Sequence, residues 1–271
     1  MLPDINTLAA IIRDVAREEI LPRFNKIGYE LKQDGSLITE ADLVADRRIH
    51  ERLSKQYPHI AFMSEEMSEQ QQADLLRDEP EVWCLDPLDG TSNFAAGVPL
   101  FASSLCLIQQ GEVVLGLTYD VNRDEMFTAV KGKGAFLNGQ RLQCSSPTTD
   151  LSASVALVDF KRLPQGLASA LIATTPYRSQ RNLGSSVLEW AWMAAGRGQI
   201  YLHGGMKLWD CAAGSLILKE AGGHACTLQG EPVFQASMGK RSVVASPDKV
   251  LFETWFAYLQ KTSEDIIQVT D

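Results

Sequence analysis

The chain has 271 residues, enough for one large folding unit with a sizeable core. Hydrophobic residues make up 45% and charged residues 22%, ordinary values for a soluble globular protein. A formal net charge of −9 argues against a general nucleic-acid binder, and no stretch approaches the ~20 apolar residues of a membrane span.

The first predicted element is a helix, with Ile5, Ala9, Ile12, Ala16 and Ile20 at helical spacing and Asp4 as N-cap. Residues Lys32 to Ser36 form a turn-rich loop. Thr39-Glu40-Ala41-Asp42 has the form of a capping box and opens a second helix lined by Ala45, Ile49 and Leu53 and ended by Pro58. The polar, Gln-rich stretch from Met67 to Glu79 reads as a mobile surface segment. Trp83 to Leu85 is a short apolar strand that runs into an acidic turn. Strands follow at Phe101 to Gln109, Val113 to Tyr119 and Glu125 to Val130, and Asn138-Gly139 marks a tight hairpin. This region is predicted to be a mainly antiparallel meander.

From about Leu151 the pattern alternates. Strands are predicted at Ala153 to Val158, Ile200 to Leu202 and Ser242 to Ala245. Helices are predicted at Ser185 to Ala195, at Asp210 to Ala221 with a Gly222-Gly223 stop, and from Pro247 with Leu251, Trp255 and Leu259 on one face. With no repeat or linker, residues 1–271 read as a single domain. Its N-terminal α+β half spans about 1–150 and its C-terminal α/β half about 151–271. The N-terminus lacks the basic and apolar run of a signal peptide. Five scattered cysteines without a CxxC pair read as reduced thiols, which points to the cytoplasm.

The chemistry concentrates in acids. Asp86 and Asp89 flank Pro87 and precede Gly90, a turn able to aim both carboxylates into one volume. Two unit charges ~4 Å apart repel by roughly 4 kcal/mol at an effective dielectric of about 20. A proton or a cation must offset that. Glu65, Glu66, Asp42 and Asp210 stand at other strand exits and helix starts. Oxygen donors without His or Cys favour Mg²⁺, Mn²⁺ or Ca²⁺ over zinc. Taken singly, each has a plainer reading. Asp42 serves as the third residue of a capping box and Asp210 as a helix N-terminal acid. Glu65-Glu66 would be a solvated pair and residues 86–91 a turn.

Together the motifs resemble the inositol monophosphatase family of lithium-sensitive, magnesium-dependent sugar phosphatases. They are Asp34 to Asp42, Ser64-Glu65-Glu66, Trp83 to Phe94 with Gly97 to Phe101, Lys131 to Gly139, Gly184-Ser185-Ser186, and Trp209 to Gly214 with Glu220 to Gly223. The resemblance implies an α/β (α+β) fold, an alternating αβαβα layered sandwich, and a homodimer. It implies Mg²⁺ as cofactor, two or three ions per site with Mn²⁺ as an alternative. The ions would be held by Glu65, Asp86, the Leu88 carbonyl, Asp89 and Asp210. It places Asp42, Glu65 and Thr91 at the attacking water. Gly90, Thr91 and Ser92 match the segment whose N–H groups receive the phosphate, and Ser185, His203 and Asp210 complete the substrate side. The implied activity is direct attack of water on a phosphate monoester of a small polyol or sugar.

The pattern breaks at His203, seven residues before Asp210, where the family commonly has a glutamate that contacts inositol hydroxyls. An imidazole cannot supply two acceptor oxygens. Either His203 meets a second anionic group with the help of Lys207, or it is a loop residue facing solvent. Arg178 and Arg181 either reach a substrate or are surface charge. Alternatives within the same chemistry are a 3′-phosphoadenosine 5′-phosphate, fructose-1,6-bisphosphate or histidinol-phosphate phosphatase. An alternative of another class is a non-catalytic regulatory protein acting through a partner.

Overall fold

The computed structural model describes residues 2–270 except 27, 33, 34 and 36, and the side chains of 267–270 are not described. Helix α1 (Ile5–Val15) starts at Asp4, whose carboxylate accepts the Thr7 N–H. The chain continues through a π-helical turn (Ala16–Ile20) and a 3-10 turn (Leu21–Arg23), so the predicted stripe stays on one buried face. Strands β1 (Glu30–Leu31) and β2 (Leu37–Ile38) flank the predicted loop, of which Gln33, Asp34 and Ser36 lie outside the described residues. Helix α2 (Glu40–Gln56) carries the predicted capping box and stops two residues before Pro58.

After β3 (Ala61–Ser64) the structure corrects the sequence reading. The stretch from Met67 to Glu79 contains helix α3 (Glu69–Asp78), opened by a second capping box between Ser68 and Gln71. Gln72 is buried, and its amide donates to the Ser64 carbonyl at 2.8 Å. The helix is anchored by that polar contact and by Leu75 and Leu76, too few apolar residues to make a visible stripe.

The remaining strands of the first half are β4 (Glu81–Asp89), β5 (Ala102–Gln109), β6 (Glu112–Asp120), β7 (Glu125–Val130), β8 (Gly134–Leu137) and β9 (Gln140–Leu142), with the short helix α4 (Thr91–Ala95) after β4. With β3 they form a seven-stranded sheet in sequence order. Only β3 and β4 pair in parallel, and the rest is the predicted meander. The second half contains β10 (Val155–Asp159), α5 (Gln165–Ala173), β11 (Ser179–Arg181), α6 (Ser186–Ala194), β12 (Ile200–Met206), α7 (Leu208–Glu220), β13 (His224–Cys226), β14 (Arg241–Ser246) and α8 (Lys249–Thr270). Its five strands are ordered β11-β10-β12-β14-β13. Helix α5 and strands β11 and β13 have no counterpart among the predicted elements. The two strands are three residues each, and their partners define them.

Period-two alternation builds the layers. Trp83, Leu85, Leu105, Leu107, Leu115 and Leu117 face α1 and α2. Val82, Cys84, Cys106 and Ile108 face the opposite way and meet α6 and α7. Leu157, Tyr201, Val243 and Ala245 of the second sheet close on the other side of those helices. Ala156, Val158, Ile200, Leu202 and Val244 then pack on α5 and α8. The result is helix, sheet, helix, sheet, helix, the αβαβα order. The C-terminal end of β4 meets the first turns of α6 and α7, which brings the acids together.

Candidate active site

Asp86 and Asp89 are three residues apart, and on a regular strand they would point to opposite faces. A bulge prevents this. Asp86 pairs with Ser104 and Asp89 with Ala102, so three steps on β4 match two on β5. Pro87 occupies the bulge, where its missing N–H leaves no ladder bond unmade, and the Ser103 hydroxyl donates to its carbonyl at 2.7 Å. Gly90 then turns the chain with φ of 89°. A Cβ there would lie 2.8 Å from the Leu100 carbonyl oxygen, so only glycine fits.

Asp86, Asp89 and Asp210 each offer a carboxylate oxygen within 4.8 Å of the others. Asp210 arrives on the first turn of α7, where its Oδ2 accepts the Lys207 N–H at 2.9 Å. Asp89 Oδ2 accepts from the Ser185 hydroxyl at 2.6 Å and from the Val187 N–H at 2.9 Å, both at the start of α6. Asp86 is 1% exposed. Its Oδ1 accepts the Leu88 N–H at 3.1 Å, while its Oδ2 is buried without a hydrogen-bond partner among the described residues. Burial, then mutual repulsion, pushes the Asp86 carboxyl well above its usual range. The same causes push Asp210 up to about 8, and burial pushes Asp89 up to about 6. Three clustered acids with an orphaned inward oxygen fit a hard divalent cation.

Asp42 closes the capping box of α2 and also reaches Thr91. Its Oδ2 accepts from the Thr39 N–H at 2.8 Å and the Thr39 hydroxyl at 2.5 Å, and its Oδ1 lies 3.1 Å from Thr91 Oγ1. Thr91 Oγ1 is also 3.0 Å from the Leu88 carbonyl oxygen. One hydroxyl carries one hydrogen, so Thr91 donates to Asp42 or to Leu88, not to both at once.

Parallel pairing of Ser64 with Leu85 sets Glu65 beside Asp86, and the Glu65 N–H donates to the Leu85 carbonyl at 3.1 Å. Its carboxylate does not join the three-acid group. It is held by Lys32, whose Nζ lies 3.2 Å from Glu65 and 2.9 Å from Glu66. Burial raises Glu66 to about 7 despite that cation. Glu66 is therefore no solvated surface acid.

Gly90, Thr91, Ser92, Ser185, His203 and Asp210 all line one cleft of about 620 Å³. His203 is 3% exposed on β12, which removes the solvent-facing loop reading. Its Nδ1 accepts the Gly205 N–H at 3.1 Å, and its Nε2 lies 3.5 Å from Asp159, its register partner on β10. Both ring nitrogens are engaged with protein groups. Arg178 and Arg181 are exposed and do not line the cleft. Arg181 donates instead to Ser179 and to the Gln180 carbonyl.

Three supporting residues were not among the predicted site residues. Lys32 has no local signal. Asn93 donates to the Leu100 and Leu183 carbonyls, both at 2.7 Å, and ties α4 to the loop before Ser185. Glu189 is 2% exposed, accepts from the Leu183 N–H and the Tyr201 hydroxyl, both at 2.8 Å, and is pushed up to about 7 by burial. A lone acid inside the apolar run of α6 was its one visible signal.

The profile of the inositol monophosphatase family matches residues 4–264. Inositol monophosphatase 1 from Bos taurus is 31% identical over 254 residues, 91% of this chain and 89% of that protein. A Pasteurella multocida protein named Nus factor SuhB is 35% identical over 205 residues, 74% of this chain and 75% of its own length. Among solved structures, an IMPase from Thermotoga maritima superimposes with a TM-score of 0.83 at 27% identity, covering 97% of this chain and 98% of that one.

Proposed function

The chain belongs to the inositol monophosphatase family of phosphoric monoester hydrolases, and on that premise we propose that it hydrolyses a phosphate monoester of a small polyol or sugar with Mg²⁺. The observation that carries this reading is the convergence of Asp86, Asp89 and Asp210 within 4.8 Å around a buried, unpartnered Asp86 oxygen. These three residues would hold Mg²⁺, or Mn²⁺ in its place, with Glu65 and the Leu88 carbonyl as further donors. Bound there, the ion supplies positive charge for the phosphate and lowers the pKa of a nearby water.

In this reading the protein's own groups position the reactants. Asp42, fixed by Thr39, orients the Thr91 hydroxyl, and Thr91 Oγ1 accepts a proton of the attacking water as its own hydroxyl proton passes to Asp42 Oδ1. The N–H groups of Gly90, Thr91 and Ser92 receive the phosphate. Ser185 keeps Asp89 aimed inward. Glu65 takes part once its carboxylate leaves Lys32.

The test is phosphate release from a panel of sugar, polyol and nucleoside phosphates with Mg²⁺, repeated with EDTA. Release should require the ion, and undiminished turnover in EDTA would overturn the metal assignment. Thr91→Ala should lower kcat about a hundredfold or more with a smaller change in KM, because the lost hydroxyl acts on the water. An unaltered kcat would remove Thr91 from the chemistry.

The relatives named Nus factor favour a second reading, a role through a partner that does not depend on turnover. Asp86→Asn separates the two. A partner retained on an inactive variant in a pull-down would support that second role, and loss of both together would tie it to the site.

A further inference from the structure

The connection 182–185 between β11 and α6 belongs to no strand or helix, yet it carries Ser185 to Asp89. Its position depends on individual contacts. Ser185 Oγ stands 2.6 Å from Asp89 Oδ2, and a Cβ at Gly90 would lie 3.2 Å from the Ser185 Cβ. A small shift of the connection would break the hydrogen bond or press Ser185 against the Gly90 turn.

Leu183 is where the connection is fixed. Its N–H donates to Glu189 Oε1 at 2.8 Å, and its carbonyl accepts from Asn93 Nδ2 at 2.7 Å. Its side chain packs with Ala102, Val187 and Leu188. Gly184 then turns the chain with φ of 69°, and a Cβ there would lie 3.0 Å from Asn93 Nδ2. The next residue is Ser185, whose carbonyl accepts the Glu189 N–H at 3.1 Å. Glu189 therefore contacts the chain on both sides of the Gly184 turn.

Glu189 is a carboxyl set between Leu188 and Trp190 in a buried helix, and it is 2% exposed. Burial of such a group is unfavourable unless its oxygens are hydrogen-bonded. The Tyr201 hydroxyl donates to Oε2 at 2.8 Å. The Tyr201 ring is itself fixed edge-on against Trp190, with centroids 5.6 Å apart. One oxygen is thus secured from β12, and the other is presented to Leu183. An apolar side chain, like Val187 or Leu188, would fill the space but hold neither group.

We propose that Glu189 is a positioning residue for the metal site: braced by Tyr201, it fixes Leu183 and so keeps Ser185 on Asp89. This rests on the phosphatase reading, with Asp89 as a ligand of the ion, and deepens it. Glu189 acts through Ser185, which makes the hydrogen bond to Asp89.

The test is calorimetric binding of Mg²⁺ without substrate, with phosphate release measured alongside. Glu189→Ala should bind Mg²⁺ about tenfold more weakly than wild type. Glu189→Gln should stay within about threefold of wild type, because its amide oxygen accepts the Leu183 N–H and its NH₂ group donates to Tyr201 Oη. An equal loss in both variants would assign the effect to charge and overturn the proposal. Ser185→Ala should also weaken binding about tenfold, and adding Glu189→Ala to it should cost less than about twofold more. Losses that multiply in the double variant overturn the proposal, as does wild-type affinity in Glu189→Ala. If Glu189→Ala has no folded melting transition, Asn93→Ala takes its place with the same expectations, since it releases Leu183 from the carbonyl side. A wild type that binds no Mg²⁺ removes both the ion and this role. If the binding results are as expected and no ester is hydrolysed, the phosphatase reading falls and the positioning role stands.

Discussion

Asp86→Asn is expected to reduce Mg²⁺-dependent phosphate release about a thousandfold or more without unfolding the protein. The amide is nearly isosteric and keeps an oxygen for the Leu88 N–H, so the bulge survives. What is lost is the charge on the buried oxygen that has no partner among the described residues. Asp89 has Ser185 and Val187, and Asp210 has the Lys207 N–H, so each is held in part by protein donors. Asp86 depends most on a cation. In the metal-free protein the substitution removes a charge from a cluster that repels itself, so thermal stability should hold or rise. In wild type, Mg²⁺ should raise the melting temperature, and in the variant that gain should vanish. Phosphate assays and melts with and without Mg²⁺ read both effects. A variant that still releases phosphate at the wild-type rate would show that Asp86 does not hold the ion.

Gly214→Ala is expected to destabilise the protein by about 2 kcal/mol, against the local preference for alanine in a helix. Gly214 lies inside α7, where alanine alone would gain about 1 kcal/mol. Its missing Cβ is where Trp190 packs. A Cβ would lie 2.4 Å from both Cβ and Cγ of Trp190, a fully buried ring on α6. Overpacking of this kind costs about 1–3 kcal/mol or more, so steric strain wins. The melting temperature should fall by about 4–8 °C. Helices α6 and α7 deliver Ser185, Val187 and Asp210 to the site, so separating them should also lower kcat. Urea unfolding and steady-state kinetics check the two consequences. A stabilised variant would mean that helix propensity outweighs this contact.

Local signals were legible in the sequence because their partners are close in the chain. Asp4 and Thr7, Thr39 and Asp42, and the Asn138-Gly139 hairpin each act over a few residues. Apolar runs marked the longer strands, and Asp210 stands in the first turn of its helix as expected, whereas Asp86 lies inside β4 (Glu81–Asp89) and not in a turn after Leu85. The helix at 69–78 has no such signal, because a capping box, one buried glutamine and two leucines hold it in place of an apolar stripe.

The tertiary structure decided what depends on distant residues. The sequence points to a turn that aims Asp86 and Asp89 into one volume, and the structure achieves this with a bulge in the pairing of β4 with β5. Lys32 holds Glu65 from 33 residues away, and Ser185 reaches Asp89 across 96. His203 became a buried partner of Asp159 only when β10 and β12 lay in register. The sequence determined which residue types could hold a cation and a phosphate. Only the folded chain determined where each points, since a side chain's direction is set by the strand or helix packed beside it.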